Sequence, residues 1–227
     1  MYYDPTYLLL IPGLLLALWA QGAVKSAYAK YSRVPSRNGL PAAEAVRRML
    51  KASGNYRVQV LPGQGTLTDH YDPRNQTLKL SEGVYNSSSV AALGIAAHEA
   101  GHAMQDKEGY ALLGLRSAIV PAVNIGSKLS FPIFIVGLIM SFRPLTLIGI
   151  ALFALTVLFT LITLPVEFDA SRRAIAMLNA SGLIAKDEEK GVRKVLNAAA
   201  MTYVAAAVGA ILQLLRLILI SRSRSRD

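Results

Sequence analysis

Three long apolar blocks constrain this chain more than any other feature. Residues 7–24 and 145–164 carry no charged side chain, and residues 198–220 carry only Arg216. A bilayer core is crossed by about 20 apolar residues in a helix, whereas a water-soluble core needs apolar residues at intervals rather than in unbroken runs. The composition agrees: 53% of the 227 residues are hydrophobic and 17% charged, against about 25% charged in an ordinary soluble domain. The expected fold is therefore mainly α, a multi-span helical membrane protein with one small polar core.

The blocks divide the chain. Residues 1–24 read as an N-terminal membrane anchor, with Tyr2, Tyr3 and Tyr7 at one interface and Lys25, Lys30, Arg33 and Arg37 at the other. Its leading residues include Asp4 and no Lys or Arg, which argues against a cleaved signal peptide. Residues 25–109 form the polar region. There Pro41 opens an amphipathic helix ending near Gly54, residues 56–60 alternate like a strand, and a hairpin over 66–80 turns at 72–75. A small-residue helix capped by Ser87 or Ser88 follows. Residues 110–128, with Arg116, Pro121 and Asn124, read as a surface-lying or partly buried helix, and 129–140 with 145–164 as a membrane hairpin turning at 141–144, its first arm too short to span unless it borrows residues before Leu129. A charged helix starts near Glu167 within residues 165–195, and residues 196–227 are a last membrane helix with a basic tail.

The net charge of +10 raises the question of nucleic acid. The basic residues gather beside apolar blocks and no nucleic-acid motif accompanies them, so an anionic lipid bilayer is the expected partner. Basic residues after the first block place 25–128 in the cytoplasm. A complete last span would then put Arg222, Arg224 and Arg226 outside, so either that block is re-entrant or interfacial, or the short tail breaks the rule. The chain has no cysteine, which excludes disulfides, thiolate metal sites and cysteine nucleophiles.

Two of the three histidines lie in His98-Glu99-Ala100-Gly101-His102. At i and i+4 on a helix two imidazoles share a face and reach one zinc ion. Glu99 projects to the side of that ion, where it can take a proton from attacking water and pass it to a leaving amine. Two core histidines and a core glutamate with no metal would be buried without evident partners, at high cost. A catalytic site needs a third protein ligand and an open position. The metzincin extension is absent, since Gln105 and Glu108 occupy its glycine and third-histidine positions. Glu167 is the leading third ligand, with Asp169 as an alternative, or as an acceptor orienting a histidine, and Glu108 behind both.

These segments, with Tyr3-Asp4-Pro5-Thr6-Tyr7, Thr68-Asp69-His70-Tyr71-Asp72-Pro73 and 164–174 around Glu167, resemble the bacterial membrane zinc metallopeptidases of the YugP-like family. More distantly the chain is similar to HtpX and the CAAX-prenyl (Ste24-type) proteases, which pair the histidine motif with a later Glu-aromatic-x-Ala-Asp. Glu167, Phe168 and Ala170 match that pattern, while Ser171 replaces its aspartate, whose role could pass to Asp169. The resemblance implies a gluzincin with a zincin-like core and one zinc per chain, in a bacterial plasma membrane.

The expected activity is hydrolysis of peptide bonds in membrane or membrane-proximal proteins, with the active site cytoplasmic. Residues 77–80 are suited to hold an extended substrate as an edge strand. His70, Arg172, Arg173 or Tyr203 could stabilise the oxyanion, His70 being equally suited to a local turn hydrogen bond. The rival reading is a non-catalytic zinc-stabilised scaffold or chaperone-like binder with four protein ligands. A metal transporter would need ionisable groups within its spans, and 145–164 has none.

Overall fold

A computed structural model describes residues 5–223. Tyr2, Tyr3 and Asp4, and the tail residues Arg224 and Arg226, lie outside the described residues. The described chain is mainly helical with one small sheet. A 3-10 turn, Pro5–Leu10, leads into α1 (Ile11–Tyr31), followed by α2 (Ala42–Ala52), β1 (Gln59–Pro62), β2 (His70–Asp72) and β3 (Thr77–Leu80). Then come α3 (Glu82–Tyr85), α4 (Val90–Lys107), α5 (Ala111–Ile139), α6 (Arg143–Ala180) and α7 (Lys186–Ser223). Four helical segments, Pro5–Tyr31 and the three longest helices, are long and apolar enough to cross a membrane.

The chain divides into two compact units. The first comprises the described parts of residues 1–20, 114–165 and 201–227. Within it, a Cβ added to Gly13 on α1 would lie 3.2 Å from Gly209 Cα on α7. Arg216 Nε donates to Thr6 Oγ1 at 3.1 Å, and its guanidinium lies 3.8 Å from the Tyr7 ring centroid. The two helices therefore run antiparallel over these positions, and α7 is a paired helix along this stretch rather than a re-entrant loop. Buried Arg216 has both a hydrogen bond and a ring face, as a cation within an apolar block requires.

Two expected helix boundaries are absent. Residues 110–128 and 129–140 are one helix, α5, which runs through Pro121 and Pro132. Likewise the second hairpin arm and the helix carrying Glu167 are one 38-residue helix, α6, which runs through Pro165. A proline removes one backbone donor and bends a helix, but long apolar helices in a bilayer tolerate it. Pro144 sits in the first turn of α6, where its missing N–H is harmless.

The second unit comprises residues 21–113 and 166–200. Its sheet has the order β1-β3-β2, with β1 parallel and β2 antiparallel to β3. The predicted hairpin is present, and its turn is closed by Asp72, which accepts from Arg74 N at 2.9 Å and from Asn75 Nδ2 at 3.0 Å. The strand expected over 56–60 forms later, over Gln59–Pro62. A second difference matters for function. β3 is the central strand, so residues 77–80 offer no free edge, and the edges are β1 and β2.

Alternation along β3 buries Leu78 and Leu80. They join Val46, Met49 and Leu50 of α2, Leu93, Ala96 and Ala100 of α4, Leu178 of α6 and Val192 of α7 in one core. The start of α4 is stitched to the loop between α1 and α2 by Val90 N to Val34 O and Ser36 N to Ser88 O, at 2.9 and 2.8 Å. Its cap is Ser89, whose hydroxyl accepts from Ala92 N at 3.2 Å. Ser87, one of the two expected caps, instead accepts from Ser89 N and so supports the cap from one step back. The start of α7 carries the charged run Lys186-Asp187-Glu188-Glu189-Lys190, as a solvated face would. Glu188 is in fact buried and accepts from Arg37 N and Ala185 N.

Candidate metal centre

α4 is buried along most of its length because it is built of small residues. Gly101 has the tightest requirement: a Cβ there would collide with the Ala170 carbonyl oxygen and lie 3.0 Å from its carbon. The absence of a side chain lets α4 approach the backbone of α6 at the level of the motif, and the site follows from that approach. His98 and His102, one turn apart on α4, face Glu167 on α6. His98 Nε2 lies 3.1 Å and His102 Nε2 3.6 Å from Glu167 Oε2. The rings stand nearly perpendicular, at 83°, with centroids 4.8 Å apart.

The far nitrogen of each ring is also occupied. His98 Nδ1 lies 3.1 Å from Ser171 Oγ, and His102 Nδ1 2.9 Å from Gln105 Oε1. With Nδ1 engaged, each ring aims Nε2 at the carboxylate. The three groups could hold a metal ion, with one ligand atom from each within 4.8 Å of the others. Two imidazole nitrogens and a carboxylate oxygen are a donor set that suits zinc. The site is enclosed: His102 and Glu167 are buried and His98 is partly buried.

Glu99 is buried beside this group and makes no hydrogen bond or ion pair among the described residues. Its charge reaches His102. Asp169, one turn past Val166 on α6, touches neither histidine directly. It accepts from Gln105 Nε2 at 3.0 Å and pairs with Arg172 and Arg173. Arg173 also pairs with Glu108 at 2.5 Å. Thus Asp169 and Glu108, the alternative third ligands, are both engaged with arginine.

Ser171 contacts His98 through its hydroxyl. His70 is exposed, its Nδ1 2.8 Å from Thr68 O in its own loop, which is the local turn arrangement. Gln105 is the residue that sequence reasoning passed over. The sequence places Gln105 only at the metzincin glycine position, and nothing in it marks the contact with His102.

On the α4 face that continues from Glu99 through Ala103 to Asp106, a cavity of about 580 Å³ opens between α4, the 54–58 loop and Tyr71 of β2. Tyr71 donates to Asp106 Oδ2 at 2.8 Å, which holds β2 against α4.

Comparison with known proteins is consistent with this chemistry. The sequence profile of a family described as "Putative neutral zinc metallopeptidase" matches residues 6–222. The chain is 48% identical over 212 residues to a Bacillus subtilis (strain 168) protein described as "Putative membrane protease YugP". That match covers 93% of this chain and 94% of the other. No solved structure matches the chain.

Proposed function

The chain belongs to the family described as "Putative neutral zinc metallopeptidase", and from that premise we propose that it is a zinc-dependent endopeptidase of the membrane. His98, His102 and Glu167 hold one zinc ion, and Glu99 moves the proton. The observation that carries this reading is the convergence of His98 Nε2 and His102 Nε2 on one Glu167 oxygen while both Nδ1 atoms are engaged elsewhere. Among the described residues only three such groups come together. That favours an open, catalytic coordination over the four-ligand closure a scaffold would need.

When bound, zinc supplies Lewis acidity, which lowers the pKa of water to about 7 and polarises a carbonyl. The rest falls to the chain. Glu99 accepts a proton from the attacking water as the peptide carbonyl carbon becomes tetrahedral, then returns it to the leaving nitrogen. A buried carboxylate with no ion pair is suited to that task, because no arginine holds it permanently as an acceptor. Ser171 and Gln105 keep the two rings facing the metal.

The second unit is read as a zincin-like core, a motif helix packed on a small sheet. Since β3 is central, the strand suited to pair with an extended substrate is β2, the edge that Tyr71 ties to α4. The cavity beside Asp106 would then receive a substrate side chain. Substrates are membrane proteins or peptides presented close to the bilayer.

If each of the four apolar helices crosses once, residues 25–113 and 166–200 lie on one side of the membrane. The basic residues from Lys25 to Arg37 support the cytoplasm as that side, in a bacterial plasma membrane. The last helix then ends outside, as its antiparallel pairing with α1 also suggests. Arg216, held by Tyr7 and Thr6, answers the charge conflict at that end only in part.

Zinc stoichiometry tests the site. After dialysis against trace zinc, wild type is expected to retain one zinc per chain, and His102→Ala and Glu167→Ala well under half. Asp169→Asn is expected to keep its zinc more nearly. Undiminished zinc in Glu167→Ala, with loss in Asp169→Asn, would reassign the third ligand.

A further inference from the structure

We propose that Gln105 is a positioning residue that fixes His102 and Glu167 together, so that two ligands on different helices are set by one buried amide. The inference rests on the zinc reading above. Gln105 is 0% exposed, and a buried primary amide needs partners for both its donors and its acceptor. Its Nε2 lies 2.8 Å from Val166 O and 3.0 Å from Asp169 Oδ2. Both are acceptors: one is a backbone carbonyl, the other a carboxylate paired with Arg172 and with Arg173 at 2.5 Å. Turning the amide over would set its oxygen against two other oxygens, so chemistry assigns the orientation.

The consequence passes to His102. With Nε2 of the amide committed to α6, Oε1 faces His102 Nδ1 at 2.9 Å. An amide oxygen only accepts, so His102 Nδ1 carries hydrogen and donates. In the neutral ring the lone pair then belongs to Nε2, the atom aimed at Glu167. The same amide grips the carbonyl of Val166, the residue immediately before Glu167. Rotating or withdrawing the side chain would therefore release the His102 ring and loosen the backbone that carries the carboxylate.

His98 is held differently. Its Nδ1 partner is the Ser171 hydroxyl, 3.1 Å away, which can donate or accept and imposes no tautomer. One histidine is locked and the other adjustable. The lock is braced from behind, because Arg173, paired with Asp169, also reaches Glu108 one turn beyond Gln105.

Two substitutions separate positioning from a simple tie between helices. Gln105→Met keeps volume and burial but removes the acceptor. Gln105→Glu keeps an acceptor for His102 and gives up the two amide donors to α6. On this proposal Gln105→Met, which loses both ties, binds zinc about 10–100-fold more weakly, and Gln105→Glu, which keeps the acceptor for His102, falls between it and wild type. If the amide merely ties helices, Gln105→Glu, with a carboxyl group facing Asp169, is at least as impaired as Gln105→Met.

Zinc affinity is read by chelator competition on the full-length protein in detergent. A second reading is the slowly exchanging imidazole N–H proton of His102, observed by NMR on ¹⁵N-histidine-labelled protein. With three histidines in the chain, His70→Ala and His98→Ala suffice to assign it. The signal is expected in wild type and Gln105→Glu and absent in Gln105→Met. A wild type without it, or a Gln105→Met that keeps both the signal and full zinc affinity, overturns the proposal. Equal loss of affinity in the two variants overturns it too. The wild-type spectrum needs no variant at Gln105 to fold. A wild type that shows the signal but binds no zinc contradicts the zinc reading while supporting the Gln105–His102 bond.

Discussion

At His102 opposing effects compete over one proton. Burial pushes its pKa down, while the hydrogen bond to Glu167 and the charges of Glu99 and Glu167 push it up and prevail. A pKa raised by folding stabilises the metal-free protein fully below the ordinary imidazole value of about 6.5, and that contribution is lost as pH rises through the raised value. Zinc must displace the same proton. Zinc uptake should therefore release a proton near neutral pH, with apparent affinity climbing as pH rises until the raised value is passed. Calorimetry in two buffers of different protonation enthalpy measures this, and an affinity independent of pH above 6.5 would contradict it. At this scale the sequence was informative where spacing carries chemistry. His98 and His102 must share a helix face, and Glu167 follows an apolar run into polar surroundings. It was uninformative about Gln105 and Ser171, because which polar neighbour reaches a ring nitrogen depends on how two helices distant in sequence cross.

The crossing of α4 and α6 depends on Gly101. Gly101→Ala sets a methyl against the Ala170 carbonyl, and neither backbone can yield without separating the helices. It should cost about 1–3 kcal/mol or more and lower zinc content in parallel. Gly22→Ala is the control, since a Cβ there has nothing within 4 Å, and replacing a helical glycine by alanine gains up to about 1 kcal/mol. Thermal melts with zinc assays on both variants check the pair; equal behaviour would remove the close-approach argument. Elements with local signals were legible, as with α2 after Pro41 or the turn at Asp72. Pro165 was read as leading into a separate helix, a rule drawn from helices in water, and the chain continues through it, as it does through Pro121 and Pro132. The position of β3 was hidden because its parallel pairing with β1 joins segments separated by β2, which alternation alone cannot reveal.

For the whole molecule, the absence of cysteine makes topology directly measurable. Single cysteines at Thr66 in the polar unit and at Met140, in the turn between α5 and α6, should react with a membrane-impermeant maleimide from opposite sides. Thr66→Cys is expected to label only in inside-out vesicles and Met140→Cys only in intact cells. Labelling of both from one side would refute four single crossings. The long apolar helices could be read from apolar runs, but the pairing of α7 with α1 could not, since Gly13, Gly209, Arg216 and Tyr7 meet only once α7 has packed back along α1. The central claim is that this assembly breaks peptide bonds with Glu99 as its proton carrier. The most direct test compares detergent-purified wild type with Glu99→Gln for zinc content and for cleavage of casein. The account predicts one zinc per chain in both and cleavage by wild type alone. Cleavage by Glu99→Gln at the wild-type rate, or a wild type that binds no zinc even when supplied with it, would contradict it.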